Sequence, residues 1–345
     1  MKKLCKNNVL GFILLILLAS ACGSDHHTNP QGFTWDAHYA DYPIAYLNYE
    51  ERYFYWENPI GLELDFLHDS DGIRVVLFEG QYVYHPWTLS NMALQYINGY
   101  YVTQDSAYLD FCRKYKDKLS EIGVRFNNGI YFPYTFNYCL HNGTTNDVMM
   151  APWFSGIAEG YTLSFLSKYY ELTNDAGVLA FADSVFNTFL NTDKSADIWT
   201  CLVDSSGYYW IEEYPYEPQT HVFGGFTSGL IGIYNYYLVT HDPRSLILLK
   251  SSLSTIENYA HEYRNPGGIS YYCLLHRGQI GLYHLLNIDR LRYLARLSDD
   301  SIFNDFADSL EADYSGGILN TKFEHEIEDN ITNSGHPNYH EAIIE

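Results

Sequence analysis

Paired helices are what this chain is built to form. Apolar residues recur every three or four positions over 89–101, 107–119, 155–172, 178–190, 226–239, 243–263, 279–297 and 302–310, the spacing of a helix that buries one face. Within several pairs the first member is rich in Gly, Ala and Ser, as in "FSGIAEGYTLSFL" and "GGFTSGLIGIY". Small residues let backbones approach closely, which suits the inner ring of a helical barrel. The partners, such as "LAFADSVFNTFL", are ordinary amphipathic helices. The expected fold is mainly α, an (α/α) toroid or barrel of paired helices over 85–314. A small strand-rich segment precedes it over 33–84, where "RYFYW" and "IRVVLF" read as short strands.

Both ends of the chain read differently. Lys2, Lys3 and Lys6 precede an apolar run over 9–18, and "ASAC" ends at Cys22. The run is about half of what a membrane-crossing helix needs, so residues 1–21 are expected to be a secretory signal of lipoprotein type. Cys22 is then the lipidated first residue, residues 22–32 a tether, and the chain a lipid-anchored envelope protein. Cleavage near Ala21 with release is the alternative. The acidic stretch 315–345 has no strong period and reads as a tail.

Charge narrows the partners. The whole chain carries −22, and loss of the three signal lysines leaves 17 basic residues against 42 acids, or −25. Such a surface repels nucleic acid and densely sulfated polymers. Cys112, Cys139, Cys201 and Cys273 lie far apart with no CxxC pair, which argues against zinc and for buried free thiols. The "DSDG" of residues 69–72 reads as a turn, because later calcium ligands do not follow in register. No metal or cofactor is expected.

Chemistry should sit in the long loops between helix pairs. Tyrosine makes up 34 of 345 residues, and most of these should serve packing or sugar stacking, given an apolar body with a polar tip. The stretch "GYYWIEEYPYEP" (207–218) is harder to explain as packing, since carboxylates among aromatic rings are costly unless paired or used. Together with Tyr272, His276, Tyr283 and His284 it draws titratable groups into successive loops.

Three blocks resemble the C-terminal part of the D-glucuronyl C5-epimerases, which convert D-glucuronate to L-iduronate within heparan-type chains. They are "APWFSGIAEGYTLSFLSKYY" (151–170), "WIEEYPYEPQTHVFGGFTSGLIGIYNYY" (210–237), and "GGISYYCLLH" followed by "LYHLLNIDRLRYL" (267–294). A weaker match is "YVYHPWTLSNMAL" (82–94). The resemblance implies that Glu213, Tyr214, Tyr272 and Tyr283 form the acid/base set; Tyr84, Tyr134, Trp153, Trp210, His276, Arg277 and His284 are the residues expected to contact an acidic glycan. Epimerisation at C5 needs a base on one face of the sugar and an acid on the other. A tyrosine is normally neutral and suits the donor, while Glu213 suits the base. Glu212, facing the other way on an extended segment, should be structural.

The chain departs from the family twice. Leu275 stands where the family has arginine, and Arg277, of the same parity on an extended strand, is expected to replace it. The β-rich domain of eukaryotic members has no room here, which leaves the polymer open. The competing readings are a uronate lyase, which begins with the same proton abstraction, a hydrolase using Glu212 and Glu213, and a non-catalytic glycan-binding lipoprotein. A homodimer is left open.

Overall fold

A repeated connector generates the helix pairs. The computed structural model describes residues 33–143 and 145–314; the signal segment, the tether with Cys22 and the acidic tail lie outside the described residues. Its pairs are α1 (Pro86–Thr103) with α2 (Ser106–Ile122), α3 (Gly156–Thr173) with α4 (Ala176–Phe186), α5 (Phe223–Thr240) with α6 (Pro243–Tyr259), and α7 (Gly281–Ser298) with α8 (Ile302–Asp313). The first helix of each pair ends on a left-handed residue: Gln104, Asn174, His241 and Asp299, with φ between 49° and 59°. After the first three, an aspartate follows at once and caps the next helix. Asp105, Asp175 and Asp242 accept from the backbone N–H two residues on, satisfying an orphan donor.

The inner helices are α1, α3, α5 and α7, each packed on the next, and α1, α3 and α5 are buried on nearly every side. They run parallel. Ser90 Oγ lies 2.6 Å from Thr162 Oγ1 between the second turns of α1 and α3. A side chain on Gly160 would put its Cβ 2.7 Å from Gly229 Cα of α5. Glycine at that crossing is what brings the two backbones into contact. The outer helix α2 buries one stripe only, Tyr108, Cys112, Tyr115 and Leu119. No helix among the described residues is long and apolar enough to cross a membrane.

Among the described residues, four antiparallel two-stranded hairpins sit on the loops that lead into inner helices. β1 (Val76–Phe78) and β2 (Gln81–Val83) precede α1. β3 (Val124–Phe126), β4 (Gly129–Tyr131), β5 (Tyr138–Cys139) and β6 (Val148–Met149) precede α3, and β7 (Cys201–Val203) and β8 (Tyr209–Ile211) precede α5. Residues 33–36 belong to a separate N-terminal unit, and 37–314 to the helical one.

"RYFYW" is not a strand. Residues 52–56 run as irregular chain between α7 and α1, where they line one cavity with both helices. Tyr53 meets Tyr293 of α7 edge to face at 5.3 Å, and Phe54 packs on Tyr161 of α3 at 4.5 Å. The backbone N–H of Trp56 donates to Asn98 of α1, whose amide donates back to Trp56 O at 2.6 Å. Lys168 Nζ donates to Phe54 O at 2.9 Å, and burial pushes that amine down to about 7. The pair Arg52–Glu171 is bidentate at 2.5 and 2.9 Å. Side chains of the inner helices thus satisfy a backbone that a sheet would otherwise have paired, and the aromatic rings go to the centre of the ring of helices. Of "IRVVLF", only Val76–Phe78 is strand.

Candidate active site

Two helix N-termini clasp the chain as it leaves β8. The N–H of Gly156, first residue of α3, donates to Glu212 O at 2.8 Å. Ser155 Oγ donates to Glu213 O at 2.5 Å. From α5, Gly225 leaves space that its neighbour fills: a Cβ there would stand 2.3 Å from Glu213 Cβ. Glu213 therefore lies against the first turn of α5, where a helix favours negative charge.

The adjacent carboxylates part company here. Glu212 is fully buried and turns into the loop it belongs to, accepting from Thr220 Oγ1 at 2.9 Å and His221 N at 3.0 Å and meeting His221 Nδ1 at 2.5 Å. It cannot flank a glycosidic bond with Glu213, which removes the hydrolase geometry. Glu213 accepts from Tyr272 Oη at 2.9 Å and lines a cavity of about 360 Å³ with Trp87, Tyr161, Tyr283 and Arg290.

Three tyrosines surround this carboxylate. Tyr272 and Tyr283 have ring centroids 4.6 Å apart, and Tyr214 stacks on Tyr138 at 5.6 Å. Burial first, and then the charge of Glu213, hold all three phenols well above their ordinary range. They stay neutral, each with a proton to give. A buried carboxylate beside neutral phenols can accept a proton on one side and return one from another.

Arg290 completes the cavity, and sequence reasoning missed it. Its side chain is buried, Nη2 donates to Ser228 Oγ at 3.2 Å, and the guanidinium lies over the Tyr53 ring at 5.9 Å. Nη1 has no hydrogen-bond partner and passes Gly224, where a Cβ would stand 2.8 Å away. Burying a guanidinium with an unused donor is costly, and here the donor lies in a cavity shared with a carboxylate. The signal was available: Arg290 follows Tyr283 by seven residues, two turns on one helix face.

Arg277 does not take that place. Residue 277 follows a turn rather than a strand, with φ of 51°; its side chain is exposed and its guanidinium lies over Tyr271 at 5.3 Å. The parity argument fails because it requires extended backbone. Tyr84 also stands apart, donating to Asp69 Oδ2 at 2.6 Å with Lys118 over its ring. Trp210 is buried against His221 at 3.8 Å, with Nε1 on Asp204. His284 accepts from Ser270 N at 3.0 Å inside the fold. Tyr134 and Trp153 stack on each other at 3.8 Å and join the same buried cluster as Tyr214, Tyr272 and Tyr283.

His276 keeps company that the sequence did not announce. Its Nε2 meets Asp147 Oδ2 at 2.7 Å, and its Nδ1 lies 2.8 Å from His141 Nε2. Burial pushes His141 down to about 4. Of the four cysteines, Cys112, Cys201 and Cys273 are buried as expected; Cys139 is exposed, at the end of β5.

Glu159, in the first turn of α3, was also missed. It is fully buried, and burial pushes its carboxyl up from 4.5 to about 8. The folded chain therefore holds a proton that the unfolded chain releases. Stability from this group is complete below pH 4.5 and is lost as pH rises through about 8. Glu159→Gln should thus gain on the parent in melting temperature across that window. A difference in melting temperature that stays constant with pH would show that Glu159 is ionised throughout.

Comparison with known proteins gives a family. The family model described as D-glucuronyl C5-epimerase C-terminus matches residues 127–312, and that span holds Glu213, Tyr214, Tyr272, Tyr283 and Arg290. An uncharacterized protein of Methanocaldococcus jannaschii is 27% identical over 176 residues, covering 50% of this chain and 54% of that one. The D-glucuronyl C5-epimerase of Caenorhabditis elegans is 30% identical over 88 residues, 26% of this chain and 14% of that enzyme. The chain thus spans about half the length of the archaeal relative and far less of the nematode one. Among solved structures, the α-1,6-mannanase of Salegentibacter sp. aligns over 73% of this chain and 67% of its own, at 17% identity and a TM-score of 0.49.

Proposed function

The chain belongs to the D-glucuronyl C5-epimerase C-terminal family, and we propose that it is a carbohydrate epimerase that inverts C5 of D-glucuronate residues in a polysaccharide or oligosaccharide. The observation that carries this reading is the buried Glu213 carboxylate, hydrogen-bonded to Tyr272 and sharing a cavity with Tyr283 and Arg290.

The chemistry follows from those groups. C5 lies alpha to the uronate carboxylate, so breaking its C–H bond moves the electron pair into an enolate-like intermediate. The negative charge already on the carboxylate opposes that movement. Arg290 offers a planar donor pair to neutralise it, and its buried position strengthens the pairing. Glu213 takes the proton. A neutral phenol, from Tyr283 or Tyr272, returns one to the opposite face, and the resulting tyrosinate recovers its proton from solvent or, for Tyr272, across its 2.9 Å bond with Glu213.

Incubation with glucuronate polymers in deuterated water tests the reading. Deuterium should appear at C5 in chains of unchanged length. Unsaturated, ultraviolet-absorbing ends would mean a lyase instead, and binding with neither product would mean a glycan-binding protein. The charge of −25 on the chain without residues 1–21 supports sparsely sulfated substrates, and the order of the first residues supports a lipid on Cys22 that holds the enzyme at a membrane.

A further inference from the structure

Beside the proposed proton-transfer site is a cluster which that function does not use. His141, Cys273 and His276 place one ligand atom each within 4.8 Å of the others. Cys273 Sγ lies 3.5 Å from His141 Nε2 and 3.6 Å from His276 Nδ1. Tetrahedral zinc, with nitrogen at ~2.0–2.1 Å and sulfur at ~2.3 Å, sets nitrogen and sulfur ligands ~3.6 Å apart. Both sulfur–nitrogen distances match this spacing. The two nitrogens, at 2.8 Å, are closer than the ~3.3 Å such an ion requires, so the imidazoles would spread by about half an ångström.

The surroundings are those of a metal site. His276 Nε2 points at Asp147 Oδ2, and Asp147 Oδ1 accepts from Tyr216 Oη at 3.0 Å. A carboxylate on the far nitrogen fixes the tautomer and turns the lone pair of Nδ1 inward, as it does for most metal-bound histidines. In the metal-free chain His141 Nε2–H donates to that lone pair. On binding, the proton moves to Nδ1 of His141, and the thiol of Cys273 loses its own to solvent. Cys273 and His276 are three residues apart on one turn, and the backbone N–H of His276 donates to Cys273 Sγ at 3.4 Å.

We propose that His141, Cys273 and His276 bind a zinc-class divalent ion, with Asp147 orienting His276 and one coordination position left for water or a substrate oxygen. One thiolate and two imidazoles select such an ion over magnesium or calcium. The ion ties the loop of residues 138–149 to the loop of residues 271–280. His141 meets the Tyr272 ring edge-on at 5.3 Å, so the metal holds in place the loop that carries the partner of Glu213. This assignment stands on geometry independent of the epimerase reading.

The test is a titration of metal-stripped full-length chain with Co²⁺, followed by displacement with Zn²⁺. One equivalent of Co²⁺ should produce a thiolate-to-cobalt absorption band, and Zn²⁺ should remove it. Cys273→Ser should lack the band, and Cys139→Ser should keep it. Asp147→Asn should bind about 10–100-fold more weakly, the usual cost of losing such a partner. Asp147 is about a third exposed, so that variant stays informative should Cys273→Ser fail to fold. A wild-type chain without the band, a band that survives Cys273→Ser, or undiminished affinity in Asp147→Asn would overturn the proposal.

Discussion

Glu213→Gln should lose between about 10² and 10⁴ in turnover, the usual cost of removing a general base. It should do so while melting close to the parent. Glutamine keeps the shape and an acceptor oxygen for Tyr272 Oη, so the 2.9 Å contact and the packing against Gly225 survive. Solvent deuterium at C5 should fall in step with turnover, because one carboxylate serves both. The neighbouring substitution is the control. Glu212→Gln can keep its oxygen toward Thr220 Oγ1 and His221 N but then turns an amide nitrogen toward His221 Nδ1, and an amide nitrogen cannot accept from that donor. It breaks the buried contact with His221, at about 1–3 kcal/mol, so it should lower the melting temperature more than the rate per folded molecule. Full exchange in Glu213→Gln, with a dead but well-folded Glu212→Gln, would reverse the roles.

Arg290→Lys should be nearly as damaging, at about 10²–10³ in kcat, the scale of losing a donor aimed at developing charge. Lysine keeps the charge and loses the fork, and only the fork matches a carboxylate bidentately. The loss should fall on kcat more than on KM, since the second negative charge builds up on the carboxylate oxygens only as the C5 proton leaves. Gly224→Ala provides an independent check: its Cβ would stand 2.8 Å from Nη1 and displace the guanidinium without changing its chemistry. Arg277→Lys should change little, as its side chain is exposed over Tyr271. Near-parental turnover in Arg290→Lys, with a collapse in Arg277→Lys, would return the clamp to Arg277.

These two residues differ in how they could be found. Glu213 belongs to a contiguous block, and its separation from Glu212 follows from local chain geometry. Arg290 is one of several arginines on α7. Its helical spacing to Tyr283 names a face without saying what the face looks upon. His141 and Asp147 were harder still. They meet His276 from 135 and 129 residues away, and a search for paired cysteines passes over a ligand set with a single thiol.

What the sequence determined by itself is whatever depends on neighbours within a few residues. Among the described residues the helices and their pairing follow from periodicity, and α1 to α8 fall where it predicts them to within a few residues. Glu213, Tyr214, Tyr272 and Tyr283 were named by the likeness of short motifs to a family, and the fold brings them together. Tertiary structure decided the rest. Residues 52–56 carry the aromatic composition of a strand, but a strand forms only with a partner, and here Asn98 and Lys168 satisfy the backbone instead. Arg277 has the parity of a clamp on extended chain, and a turn at 274–276 cancelled it. Arg290 became the buried cation because Gly224 and Ser228, more than sixty residues earlier in the chain, leave room for it and bind it. Burial, which moves the pKa of Glu159 and of the three tyrosines, is a property of the packed ring of helices and belongs to no segment of the sequence alone.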